Sequence, residues 1–155
     1  MSEAHHSPIF QSSIDFVDAR INAAAVYCSD GRFGEQFDDF LHNALKLPRY
    51  DRVAVPGGPA CLAEHFATYR QGDVVAAQLE FLINAHQVKR VILIAHEACA
   101  FYTQLLQISP IGLKQQQLED IAKAANRVRQ FADNLVVEAY FASMQNNHVI
   151  FEHIA

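Results

Sequence analysis

Two short motifs in this chain carry residue types that can do chemistry. Cys28-Ser29-Asp30-Gly31-Arg32 sets a thiol, a carboxylate and a guanidinium at alternate positions, and His96-Glu97-Ala98-Cys99 sets an imidazole and a second thiol three residues apart. Two thiolates and an imidazole are the donors that a borderline-soft d¹⁰ ion such as Zn²⁺ prefers, and three protein ligands leave one tetrahedral position for water or another side chain. That donor count is typical of a catalytic zinc rather than a closed structural one. Asp30 is a possible fourth ligand, and Arg32 is equally well placed to hold its carboxylate away in a bidentate pair. A free cysteine taken alone is more often buried core than ligand, so the combination of the two motifs carries the metal reading. Cys61 has no ligand partner at useful spacing and reads as buried packing near the site.

The motifs must be positioned by elements that end where they begin. Ala23 to Tyr27 is an apolar run that reads as a buried strand ending at Cys28, and Arg90 to Ala95 (RVILIA) is a second that ends at His96. Arg52 to Val55 reads as a strand running into the loop Pro56-Gly57-Gly58-Pro59, and Val136 to Ser143 and Val149 to Ile154 as a closing pair joined by Gln145-Asn146-Asn147. Helices are expected from Phe33 to Ala44, from Gly72-Asp73 through His86, and from a Ser109-Pro110 cap through Leu118, Ile121 and Val128 to Leu135. Strands alternating with helices predict an α/β fold: a mostly parallel sheet in the order 2-1-3-4, with an antiparallel edge strand 5, covered by helices on both faces. In that order the strand direction of travel switches between strands 1 and 3. Cys28 and His96 would meet there, with Cys99 one helical turn beyond.

The bulk numbers narrow the function classes. The 155 residues suit one domain, and 51% apolar with 19% charged residues is a folded composition. A net charge of −5 has the wrong sign for neutralising phosphates, so no nucleic-acid partner is expected. No run is apolar and long enough to span a membrane and no secretion signal is visible, which makes cytoplasmic residence the expectation. Three cysteines make no disulfide framework. Residues 1–20 read as a polar N-terminal arm and 21–155 as a single zinc-binding α/β domain. His5 and His6 in the arm, and His42, His65, His86, His148 and His153 in the domain, read as terminal, surface or satisfied core residues rather than ligands.

With these residues in place, the chain resembles the β-class carbonic anhydrases, whose first motif is Cys-x-Asp-x-Arg and whose second is His-x-x-Cys. The similarity runs in order and approximate spacing from Ala23 to about Tyr102, and the closing strand pair is also similar. It implies Zn²⁺ on Cys28, His96 and Cys99, and as the catalytic pair an Asp30–Arg32 dyad that either opens or closes the fourth position. The reaction implied is reversible hydration of CO₂ to bicarbonate, with Asp30, held by Arg32, orienting the hydroxide. It also implies a homodimer or higher even oligomer, with the arm packed across the neighbour.

The pattern departs from the family at three places. Val55-Pro56-Gly57-Gly58-Pro59 stands where active members usually carry Arg-Asn-Ala-Gly, Ala100 stands where Gly is usual after the second cysteine, and Gln11 is the nearby candidate for a pocket glutamine. These changes spare the ligands and alter the surroundings of the substrate. Two further readings are therefore carried: a hydrolase of another small linear substrate such as carbon disulfide or carbonyl sulfide, and a catalytically altered relative that serves as a binding or regulatory module. Glu97 could support the ligands or accept a proton, or more simply be a solvated helix-start residue. A phosphatase-type loop is excluded because too few residues separate Cys28 from Arg32 to surround a phosphate. A dinucleotide site lacks its strand-to-helix glycine fingerprint.

Overall fold

The structure is a computed structural model that describes residues 1 and 6–155. Five strands, β1 (Ala23–Cys28), β2 (Asp51–Val55), β3 (Arg90–His96), β4 (Val136–Gln145) and β5 (His148–His153), form one sheet in the order β2-β1-β3-β4-β5. The first four are parallel and β5 is antiparallel to β4, as the alternation of elements predicts. β1 and β3 are central, and β1 is buried along its whole length. This is why both read as continuous apolar runs rather than alternating ones.

Among the described residues three α-helices cover the sheet. α2 (Tyr69–Ala85) and α3 (Leu113–Arg129) pack on the face that presents Val26, Leu93 and Phe141, with Leu79, Ile83, Ile121 and Val128 completing that core. α1 (Gly34–Asp39) lies on the opposite face, where Phe37 meets Tyr27, Ile92, Ile94 and Tyr140. The turn between β4 and β5 is two residues, Asn146 and Asn147, both at positive φ (52° and 63°). Asparagine tolerates that conformation, and it matches the twist of a hairpin.

Several element boundaries differ from the expectations. The first helix is α-helical only to Asp39 and then widens into a π turn, Phe40–Ala44. α2 starts at Tyr69, three residues before the expected Gly72, so Gly72 is interior to it. There a Cβ would lie 2.3 Å from the Cys61 carbonyl oxygen, so the glycine marks a close approach of α2 to the segment Gly58–Ala63. α3 starts at Leu113, after Gly112 at φ 82°, rather than at the Ser109-Pro110 cap. It ends at Arg129, short of Leu135. Residues 6–20 carry no helix or strand and are exposed, Gln11 among them. Their base is held by Arg49 Nε donating to the Ala19 carbonyl (3.3 Å) and by Arg20 beside His86 (3.0 Å) and Asp51 (3.7 Å). His5 lies outside the described residues, and no helix among the described residues is long and apolar enough to cross a membrane.

Candidate metal centre

Cys28 is the last residue of β1 and His96 the last of β3, the strands between which the order reverses. Tyr27 opposes Ile94, so the two strand ends lie side by side. Cys99 reaches them by a turn, not by the helical turn expected, with Ala98 at φ 53°. β4 holds that turn: the Glu97 N–H donates to the Ala142 carbonyl (2.9 Å), and the Glu97 carboxylate accepts the Met144 N–H. Glu97 is thereby engaged in shaping the turn.

The ligand atoms of Cys28, His96 and Cys99 all lie within 4.8 Å of one another, and all three residues are buried. The donor set can be tested for a metal in two ways. His96 Nδ1 lies 2.8 Å from the Glu97 carbonyl, which can only accept, so Nδ1 carries the hydrogen and Nε2 presents its lone pair. That Nε2 is buried and has no hydrogen-bond partner, a costly state unless something binds it. The thiols are free, with Cys28 Sγ 3.9 Å from Cys99 Sγ. Zn–S bonds of about 2.3 Å at the tetrahedral angle would set two sulfurs about 3.8 Å apart. The residues present fit zinc.

Backbone N–H groups of Asp30 and Gly57 face Cys28, and those of Phe101 and Tyr102 face Cys99. The hydrogen bond between the two thiols, with His96 and these N–H groups, draws Cys28 down to about 4 against the effect of burial. The same bond, with burial, pushes Cys99 up. Cys61 is separate from this pair. Its thiol donates to the Pro56 carbonyl (3.4 Å), and burial pushes it up to about 11. It is buried, as a packing residue is expected to be.

Asp30 is not in the three-residue cluster. Arg32 takes both its oxygens, Nη2 donating to Oδ2 (2.7 Å) and Nε lying 3.1 and 3.2 Å from the two, while the Arg32 N–H donates to Oδ1 (3.0 Å). These bonds hold the Asp30 carboxyl at about 2. Phe33 lies against the imidazole, its ring centroid 4.4 Å from that of His96 and the two planes tilted by 34°. The loop after β2 closes against the site by backbone alone. A Cβ on Gly58 would lie 2.6 Å from the Tyr27 carbonyl carbon and 2.7 Å from the Cys28 nitrogen, and one on Gly57 would lie 2.5 Å from the Phe101 ring. Beside it is a cavity of about 560 Å³ lined by apolar side chains, among them Val55, Pro56, Cys61 and Phe101, together with Arg70, Gln71 and Gln78.

Among the described residues the cluster of possible ligands contains no histidine but His96. His65 bonds Asp120, His86 bonds Asp51, and His148 and His153 are exposed. Two residues that sequence reasoning did not single out stand close behind the ligands: Gln117 donates to the His96 carbonyl (2.7 Å), and Asp120 accepts the Tyr102 hydroxyl (2.8 Å). Their signal lies in helical phase, since they share the inner stripe of α3 with Leu113, Ile121 and Ala124 although both are polar.

The profile of a family described as "Putative carbonic anhydrase" matches residues 18–152. An uncharacterized protein of Rickettsia bellii (strain RML369-C) is 23% identical over 105 residues, 68% of this chain and 63% of that protein. One of Rickettsia conorii (strain ATCC VR-613 / Malish 7) is 23% identical over 104 residues, 67% of this chain and 55% of that protein. The matched segment thus spans about six-tenths of these relatives' length. Among solved structures, β-carbonic anhydrase isoform I of Trichomonas vaginalis superposes with a TM-score of 0.53 at 15% identity, covering 84% of this chain and 81% of that one. That likeness establishes the fold.

Proposed function

The chain belongs to the family described as "Putative carbonic anhydrase", and from that membership we propose that it is a zinc-dependent lyase catalysing the reversible hydration of CO₂ to bicarbonate. The observation that carries the proposal is the unpartnered, buried Nε2 of His96 facing two free thiols 3.9 Å apart at the strand switch point. Cys28, His96 and Cys99 would hold the ion. Zinc held there would supply hydroxide near neutral pH, as in carbonic anhydrases generally, where it brings the pKa of water to about 7.

The chain's own residues then do the rest. Asp30, kept ionised by the Arg32 fork, offers carboxylate oxygens as acceptors and orients the attacking oxygen through its proton. With Asp30 engaged by Arg32, an ion held by Cys28, His96 and Cys99 would have its fourth position open to water. The N–H groups that face the two sulfurs offset thiolate charge. Phe33 and the Pro56–Pro59 backbone keep bulk water from the imidazole and the sulfurs.

The larger assembly in this reading is a homodimer or higher even oligomer built from one domain, 21–155, with residues 1–20 as an arm across the neighbour, working in the cytoplasm. Ile9, Phe10, Ile14 and Phe16 in the arm are at least 82% exposed, more apolar surface than a free arm keeps in water. The apolar cavity beside the site favours a second reading, hydrolysis of a linear apolar molecule such as carbon disulfide or carbonyl sulfide. A CO₂ hydration assay on metal-replete protein from neutral to alkaline pH, with zinc measured on the same sample, tests the proposal. One equivalent of zinc with activity rising with pH is expected. One equivalent with none anywhere in that range, and none on the sulfur compounds, would leave a binding or regulatory module.

A further inference from the structure

We propose that Gln117 and Asp120, on the buried face of α3, are positioning residues that set the His96–Cys99 turn in metal-binding geometry; this rests on the reading of Cys28, His96 and Cys99 as ligands. Among the described residues the buried polar or charged positions are Thr68, His96, Gln117 and Asp120. Three of the four thus belong to one connected site. A helix that needed only to pack would carry aliphatic residues at 117 and 120, as α3 does at Ile121, Ala124, Ala125 and Val128. A buried carboxylate and a buried amide are costly unless every bond is met.

Neither side chain leaves a fully buried polar atom without a partner, and the bonds they make converge on the ligand turn. Gln117 Nε2 donates to the His96 carbonyl at 2.7 Å, which fixes the peptide directly after the imidazole ligand. Asp120 Oδ2 accepts the Tyr102 hydroxyl at 2.8 Å, and the Tyr102 N–H in turn donates to the Cys99 carbonyl at 3.0 Å and faces the Cys99 sulfur. Asp120 is itself held by Gln116 Nε2 on Oδ1 (2.9 Å) and His65 Nε2 on Oδ2 (2.6 Å). One helix therefore holds the turn at its start, through Gln117, and at its end, through Tyr102. Glu97 ties the middle to β4. Such outer partners of metal ligands usually matter for affinity without touching the ion.

The test uses the full chain and compares zinc affinity, by competition with a chromophoric chelator, and the visible d–d spectrum of the cobalt(II) form. The variants are Gln117→Met, Tyr102→Phe and Asp120→Asn, with Val128→Ala as a packing control on the same helix. Gln117→Met and Tyr102→Phe keep volume and remove one bond each. They are expected to weaken zinc binding roughly 10–100-fold and to alter the cobalt spectrum, whereas Val128→Ala lowers thermal stability and leaves both readouts at wild-type values. Tyr102→Phe serves if Asp120→Asn does not fold. Folded variants with wild-type zinc affinity and cobalt spectrum would overturn the positioning role while leaving the ligand assignment intact. A wild-type chain that binds no zinc would overturn the ligand assignment, and the positioning role with it.

Discussion

Gly58→Ala isolates the requirement that the loop after β2 touch the metal strand by backbone. Gly58 has φ 52°, and an added Cβ would lie 2.6 Å from the Tyr27 carbonyl carbon, 2.7 Å from the Cys28 nitrogen and 2.9 Å from the Tyr27 Cα. All three atoms are backbone of the central strand β1, which cannot yield, so the loop must lift. The left-handed conformation costs a non-glycine residue about 1–2 kcal/mol, and relieving an overpacked contact costs a further 1–3 kcal/mol or so. The sum is about 2–5 kcal/mol, or roughly 5–20 °C in melting temperature for a chain of this size. Gly112→Ala calibrates the first part, because Gly112 has φ 82° and nothing within 4 Å of its Cβ position. Urea denaturation of the metal-free proteins measures both. Gly58→Ala is expected to lose at least 1 kcal/mol more than Gly112→Ala, and to weaken zinc binding because the Gly57 N–H leaves Cys28. Equal losses in the two variants would refute the close-approach argument.

Arg32→Ala frees the Asp30 carboxylate, and kcat/KM for CO₂ hydration is expected to fall by about 10–100-fold with zinc content unchanged; a stopped-flow assay at wild-type level would count against orientation by the dyad. The same assay across pH should show the kinetic pKa rise once the Arg32 charge is gone. Glu138 accepts from Arg90 at 2.5 and 3.1 Å, bonds that hold it below the usual carboxylate range. A folded-state pKa that is depressed contributes stability above the unfolded value of about 4.3, and that contribution is lost as pH falls through the folded value. Glu138→Gln should therefore cost about 1–2 kcal/mol at neutral pH and show a flatter loss on the acid side, read by thermal melts between pH 7 and pH 2.

The sheet order and the meeting of Cys28 with His96 were legible because β1 and β3 are buried on both faces and end at their chemistry. Apolar continuity marks such strands, and their burial leaves no room for an ambiguous period. The hairpin was legible from Asn146-Asn147, whose side chains suit positive φ. Helix starts were less so. Gly72-Asp73 looks like a start, yet the glycine serves a contact with Cys61 that no local pattern reveals. Ser109-Pro110 was passed over because Gly112 begins α3 from a left-handed residue. Cys99 comes from a turn held by β4 and α3, partners distant in sequence, so its spacing from His96 alone suggested a helix. Gln117 and Asp120 sit in the polar stretch Lys114-Gln115-Gln116-Gln117-Leu118-Glu119-Asp120, where composition points to solvent and only the register of the stripe points inward.

The account stands most directly on the metal itself. X-ray absorption at the zinc edge, on full-length protein reconstituted with one equivalent of zinc, should show two sulfur scatterers at about 2.3 Å and two nitrogen or oxygen scatterers at about 2.0–2.1 Å. The sulfur shell should fall to one in Cys99→Ser. A reconstituted protein that retains no zinc, or a spectrum without a sulfur shell, would contradict the assignment of Cys28, His96 and Cys99.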